Sequence, residues 1–147
     1  MVIAKWVDEQ YYAEESINNV LNYILTDKRT GGRVNYYGSC NVDINDTFEQ
    51  FMYVKRFFNK TDGRKLLHLV VSFGKDTTSY DAYIMAYQIA AYLAEERQVI
   101  FGVHEDKDNV HIHFMINTVS FIDGSLLFDS FSIWGYCENI YKSYLAQ

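Results

Sequence analysis

The sequence predicts an α+β domain, a central and mainly antiparallel β-sheet with helices packed on one face. Three observations carry this reading. Apolar residues alternate between helical and extended spacing along the chain, so strands and helices interleave. The extended segments Val99 to His104 and Val110 to Phe121 are separated by only five residues, a connection that only an antiparallel pair permits. The 147 residues are about half hydrophobic, with no proline, internal repeat or low-complexity tract, which fits one domain with a real core and no linker.

Each element follows from local pattern. Val2 to Val7 reads as a short first strand. Ser16 is a candidate N-cap for a helix in which Ile17, Val20, Leu21, Ile24 and Leu25 lie at helical spacing, ended by Thr30-Gly31-Gly32. Val34 to Val42 is Tyr-rich and extended. Asp46 or Thr47 caps a second helix whose Phe48, Phe51, Met52, Lys55 and Phe58 share a face, and Thr61-Asp62-Gly63 turns the chain. Leu66 to Phe73 is an apolar, β-branched run that reads as a buried strand. Ser79 to Glu96 is an amphipathic helix built on Tyr83, Ala86, Tyr87, Ala90, Leu93 and Ala94. After the two late strands, with turns at Lys107-Asp108-Asn109 and Asp123-Gly124, a last helix starts at Ser130 and holds Ile133, Trp134, Cys137, Ile140, Tyr141 and Tyr144.

Composition excludes several classes. Two cysteines, Cys40 and Cys137, cannot build a disulfide framework, and there is no CxxC pair for zinc, so a reduced cytosolic protein with packed thiols is expected. No apolar run approaches the roughly 18 residues of a membrane span, and the N-terminus lacks signal-peptide order. The net charge of −6 is unevenly spread. Lys28 to Lys75 holds nine basic residues and four acids, against four and fifteen elsewhere. A basic middle in an acidic chain is either one binding face or an ordinary solvated surface.

The histidines are the strongest signal. His104, His111 and His113 fall within ten residues. Strand period puts His111 and His113 on one face with Ile112 on the other, and the intervening turn brings His104 across from them. Three imidazoles converging from two adjacent strands form a facial metal site with open positions. Glu105 and Asp106 are the nearby carboxylates able to orient the ligand rings, with Asp106 the better placed. His68, on its apolar strand, reads as a satisfied core histidine or one near the site. Such a site serves carbonate chemistry, peptide hydrolysis or phosphoryl transfer, and spacing alone does not choose among them.

The histidine string resembles motif III of the relaxases, HUH endonucleases that nick DNA for conjugative plasmids and transposons. Leu21-Asn22-Tyr23-Ile24-Leu25-Thr26-Asp27-Lys28 resembles their motif I, and His68-Leu69-Val70-Val71-Ser72-Phe73 their motif II. The ordered set covers roughly residues 16–121. The resemblance implies a central antiparallel sheet with helices behind it. It implies metal-dependent nicking and rejoining of one strand at an origin of transfer, with Tyr23 as nucleophile forming a 5′-phosphotyrosine. It implies that His104, His111 and His113 hold Mn²⁺ or Mg²⁺, with Zn²⁺ possible in purified material. Imidazole donors suit Mn²⁺ better than Mg²⁺, which prefers oxygen and retained water.

On this likeness Ser72, Asn117 and His68 contact DNA, with Asn117 alternatively fixing a loop, while Lys28, Arg29, Arg33 and the Lys55–Lys65 group track the backbone. The implied partners are single-stranded origin DNA, an accessory mobilisation protein and the coupling protein of a type IV secretion system, without membrane insertion. The implied location is the bacterial cytoplasm, with passage to the recipient alongside the DNA. Residues 1–147 read as the catalytic domain, truncated at its C-terminus. Tyr11-Tyr12 and Tyr36-Tyr37 rival Tyr23. Other readings are a relaxase-like module that binds without cutting, an HUH initiator or transposase using Tyr136, Tyr141 or Tyr144, and a zinc hydrolase of small molecules.

Overall fold

The computed structural model describes residues 1–105, 109–128 and 132–147. Five strands, β1 (Ile3–Trp6), β2 (Tyr37–Cys40), β3 (Leu66–Ser72), β4 (Val99–Glu105) and β5 (Val110–Asn117), form one sheet in the order β1-β3-β5-β4-β2. Every pairing is antiparallel. The helices are α1 (Glu15–Leu25), α2 (Thr47–Phe57), α3 (Ser79–Leu93) and α4 (Trp134–Leu145).

Helices cover both faces of the sheet, not one. Leu69, Val71, Phe101, Val103, Ile112, Phe114 and Ile116 point to one side, where Met85, Ala86, Ile89 and Ala90 of α3 and Cys137 and Tyr141 of α4 bury them. On the other side Leu66, Ile100 and Met115 meet Ile17, Val20, Ile24 and Leu25 of α1 and Phe51 and Met52 of α2. The reason lies in β3. Its unbroken Leu-Leu-His-Leu-Val-Val run offers apolar surface to both sides, the pattern of a strand buried on both faces.

Several boundaries shift from the sequence expectation. Ser16 lies inside α1, whose N-cap residue is Glu14, with no side-chain cap. Thr78 caps α3 by accepting from the Asp81 amide at 3.1 Å, and that helix ends at Leu93 rather than Glu96. A 3₁₀ turn over Ile44–Asp46, capped by the Asp43 side chain, leads into α2. β5 stops at Asn117 instead of Phe121, because Val119 leaves the ladder to form an isolated bridge with Leu126. The last helix starts at Trp134, and its expected start at Ser130 lies outside the described residues. The same holds for Asp106, Lys107 and Asp108 of the late turn, although the Glu105–Val110 pairing beside it is antiparallel as expected.

Candidate active site

The ladder registers assemble the site. His104 of β4 stands directly across from His111 of β5, and Ser72 of β3 stands across from His111 on the other side. His113 shares their face two residues on. Ring centroids of His104 and His113 are 4.3 Å apart, those of His111 and His113 5.1 Å, and those of His104 and His111 5.8 Å. One ligand nitrogen from each of the three lies within 4.8 Å of the others.

Glycine opens room for a helix beside them. A Cβ at Gly102, on the same face of β4, would lie 2.3 Å from the Ile24 carbonyl oxygen. Without it, the end of α1 settles onto the strand. His104 Nε2 donates to that carbonyl at 2.8 Å, which leaves the lone pair of a neutral ring on Nδ1. The neighbouring residue on α1 is Tyr23. It stands at the edge of the Val20–Ile24 stripe, 40% exposed, in the last turn of the helix. Its ring centroid is 5.2 Å from that of His113, 5.8 Å from His104 and 6.1 Å from His68. Lys28 donates to its hydroxyl at 3.0 Å. A cation there stabilises negative charge developing on the oxygen.

The fourth histidine belongs to the same group. His68 Nε2 lies 2.8 Å from His113 Nδ1, and His68 Nδ1 lies 3.2 Å from the Tyr11 hydroxyl. Burial, helped by neighbouring positive charge, holds His68 down to about 4 and His113 to about 2. Both are therefore neutral at ordinary pH, the form that ligates metal. His113 Nε2 is buried with no hydrogen-bond partner among the described residues. An orphaned lone-pair nitrogen facing two further imidazoles fits a divalent cation and is otherwise costly.

The other expected site residues divide. Ser72 is half-buried on the histidine face, and Lys28 meets Tyr23. Arg33 lies over the exposed Tyr37 ring at 5.0 Å. Arg29 pairs with Asp27 at 3.2 Å and with Glu105 at 3.3 Å. Glu105 does not orient a ligand ring from the histidine face. Strand parity turns it to the opposite side, where Ser79 donates to its other carboxylate oxygen. Asp106 lies outside the described residues.

Asn117 shares the histidine face but is fully buried about 13 Å along the strand from His113, at the usual rise per residue. It accepts from Lys55 at 2.7 Å and from the Val119 amide, so it fixes the chain's exit from the sheet rather than meeting DNA. Lys55 and Lys65 are buried too, which removes them from any backbone-tracking surface. His68 is buried, with its Nε2 2.8 Å from His113 Nδ1. The sequence reading did not assign Tyr11 its place beside His68, nor the Ile24 carbonyl its role. The first had a faint signal in the Tyr11-Tyr12 pair; a main-chain acceptor has none.

Comparison with known proteins gives a family and a fold. Residues 23–144 match the sequence model of the relaxase family described as MobA/VirD2-like, nuclease domain. The chain is 27% identical to Protein TraI of Escherichia coli over 124 residues, 80% of this chain and 17% of that protein. It is 27% identical to Protein rlx of Staphylococcus aureus over 109 residues, 69% of this chain and 33% of that protein. It therefore spans a third or less of either relative. A solved structure reported as "Molecular Basis of Vancomycin Resistance Transfer in Staphylococcus aureus" shares the fold, with a TM-score of 0.51 over 86% of this chain and 74% of that one, at 11% identity.

Proposed function

The chain belongs to the MobA/VirD2-like relaxase nuclease family, and from that premise we propose that residues 1–147 form a metal-dependent DNA-nicking domain with Tyr23 as nucleophile. The observation that carries this reading is the packing of Tyr23 against His104, His113 and His68, with the Lys28 ammonium on its hydroxyl. The family supports DNA nicking in mobilisation in general terms.

In the covalent step Tyr23 Oη bonds to phosphorus and the P–O3′ bond breaks. The phenol proton passes to solvent and the departing 3′ oxygen takes one up. The product is a 5′-phosphotyrosine and a free 3′-hydroxyl. The covalent ester conserves the bond energy, so the reverse reaction rejoins the strand without ATP. Lys28 holds the phenol oxygen and offsets charge as the bond forms. His104, His111 and His113 hold the divalent cation, Mn²⁺ or Mg²⁺. When bound, it supplies positive charge to a non-bridging phosphate oxygen. His104 ties that centre to α1 through Ile24, which keeps Tyr23 in register with it. Ser72, Lys28 and Arg33 meet the backbone of single-stranded origin DNA. Accessory mobilisation and coupling proteins, cytoplasmic residence and passage to the recipient belong to the same proposal. Among the described residues no helix is long and apolar enough to cross a membrane.

The test is a denaturing gel for protein–DNA adducts, with labelled single strands tiled over the DNA flanking this gene and Mn²⁺ present. A metal-dependent adduct mapped to Tyr23 by mass spectrometry is expected, and Tyr23→Phe should lower its yield by more than about 10³-fold while retaining metal. An adduct mapped to Tyr136, Tyr141 or Tyr144 would favour an HUH initiator, and metal binding with no adduct on any strand would favour a non-cutting module.

A further inference from the structure

Tyr11 is held in an unusual way. Its backbone lies in the left-handed region, at φ 51°, although it is not glycine. Its carbonyl is pinned by the Lys65 amide at 2.8 Å. Its ring meets His68, and its hydroxyl makes one hydrogen bond among the described residues, to His68 Nδ1. Tyr11, Tyr23, His68 and His113 all line one groove, open to solvent, together with Glu9 and Asn19. Tyr11 also precedes the stretch that matches the family, so its role is not carried over from it.

The hydrogen-bond directions follow from proton bookkeeping. A cation on His113 Nε2 requires the ring proton on Nδ1. That proton is then donated to His68 Nε2. Neutral His68 must carry its own proton on Nδ1, and donates it to the Tyr11 oxygen. The Tyr11 hydroxyl, having accepted, still carries a hydrogen, and no second hydrogen bond takes it up among the described residues. With the relay reversed, His113 Nε2 bears a proton and cannot ligate. A metal thus sets one direction for the whole chain and turns the Tyr11 donor toward the groove. Burial first, then the charge of Glu9 and the nearness of Tyr23, push the Tyr11 hydroxyl up to about 12, so it remains a donor.

We propose that Tyr11 is a substrate-positioning residue whose hydroxyl donates to a non-bridging phosphate oxygen of the bound strand, in a direction set through His68 by the cation on His113. The proposal rests on the relaxase reading above. It makes metal and single-strand binding mutually reinforcing, with Tyr11 carrying part of the coupling.

Two measurements test it. In the first, the strand that gives the Tyr23 adduct is bound to the Tyr23→Phe protein, with and without Mn²⁺, and to a protein that also carries Tyr11→Phe. Loss of the Tyr11 hydroxyl should weaken binding about tenfold with metal and less than about twofold without it, as expected for one hydrogen bond to a charged group. Equal losses in both conditions, or no loss, would overturn the coupling while leaving the nicking reading intact. Absence of any adduct from the unsubstituted protein would overturn both. The second measurement needs neither DNA nor a variant. Ring-nitrogen NMR of the unsubstituted protein loaded with Zn²⁺ should show His68 protonated at Nδ1; protonation at Nε2 would overturn the relay.

Discussion

One face of the sheet carries two buried polar clusters, and they differ in a single respect. At the Asn117 end, Lys55 donates to Asn117 at 2.7 Å and to Thr118 at 3.0 Å. Asn117 donates in turn to Gln98 at 2.8 Å and to the Phe51 carbonyl at 3.3 Å. At the other end, His68, His113 and Tyr11 are linked just as closely, yet His113 Nε2 has no partner among the described residues. The first cluster is complete within the chain and braces α2 to the sheet. The second is complete only when something else is bound. Buried polarity alone marks neither as functional; the unmet valence does.

The contrast can be broken from either side. The largest effect after loss of the nucleophile should come from His113→Ala or His111→Ala. Each should weaken Mn²⁺ binding on the order of 100-fold or more and abolish adducts, and half-buried His111→Ala should do so with little loss of stability, read by calorimetry and urea unfolding. Undiminished metal affinity would remove that histidine from the site.

Gly102→Ala comes next. Its methyl group would displace the Ile24 carbonyl and so the Tyr23 turn of α1. The adduct rate should drop by about 10²-fold, the scale of an ångström's misplacement, while His111 and His113 still bind metal. An unchanged rate would show that α1 need not sit so close.

Asn117→Ala should do the opposite of the histidine variants. It removes buried partners of Lys55, Gln98 and the Val119 amide and should cost about 2–4 kcal/mol in urea unfolding, with metal affinity unchanged.

The smallest effect is a pH slope. Burial, then the charge of Lys65, push the Lys55 ammonium down to about 7 from its ordinary 10.5. Between those values the unfolded chain holds a proton that the folded chain has released. Stability contributed by this group therefore rises with pH from about 7 toward 10. Lys55→Met should flatten that part of the profile relative to the unsubstituted protein, and an identical slope in the two would show that Lys55 is not its source.

Much of this was legible in the residues. The interleaved periodicities marked each strand and helix core, the short late connection required an antiparallel pair, and the spacing of His104, His111 and His113 put three imidazoles on one face. Those are local facts, because strand parity and tight turns act over a few residues. The match of Tyr23 to a family motif supplied the candidate nucleophile; nothing in its own neighbourhood separates it from twelve other tyrosines.

Tertiary structure decided the rest. Whether Asn117 and Lys55 meet solvent or each other depends on how α2 lies across the sheet, 62 residues apart in sequence. That His68 meets His113 depends on the β3–β5 register. The approach of Tyr23 depends on a missing side chain at Gly102 and on a main-chain carbonyl, neither of which has a signature in the sequence of α1. Periodicity tells a residue which way to face. Only the packed chain tells it what it meets there.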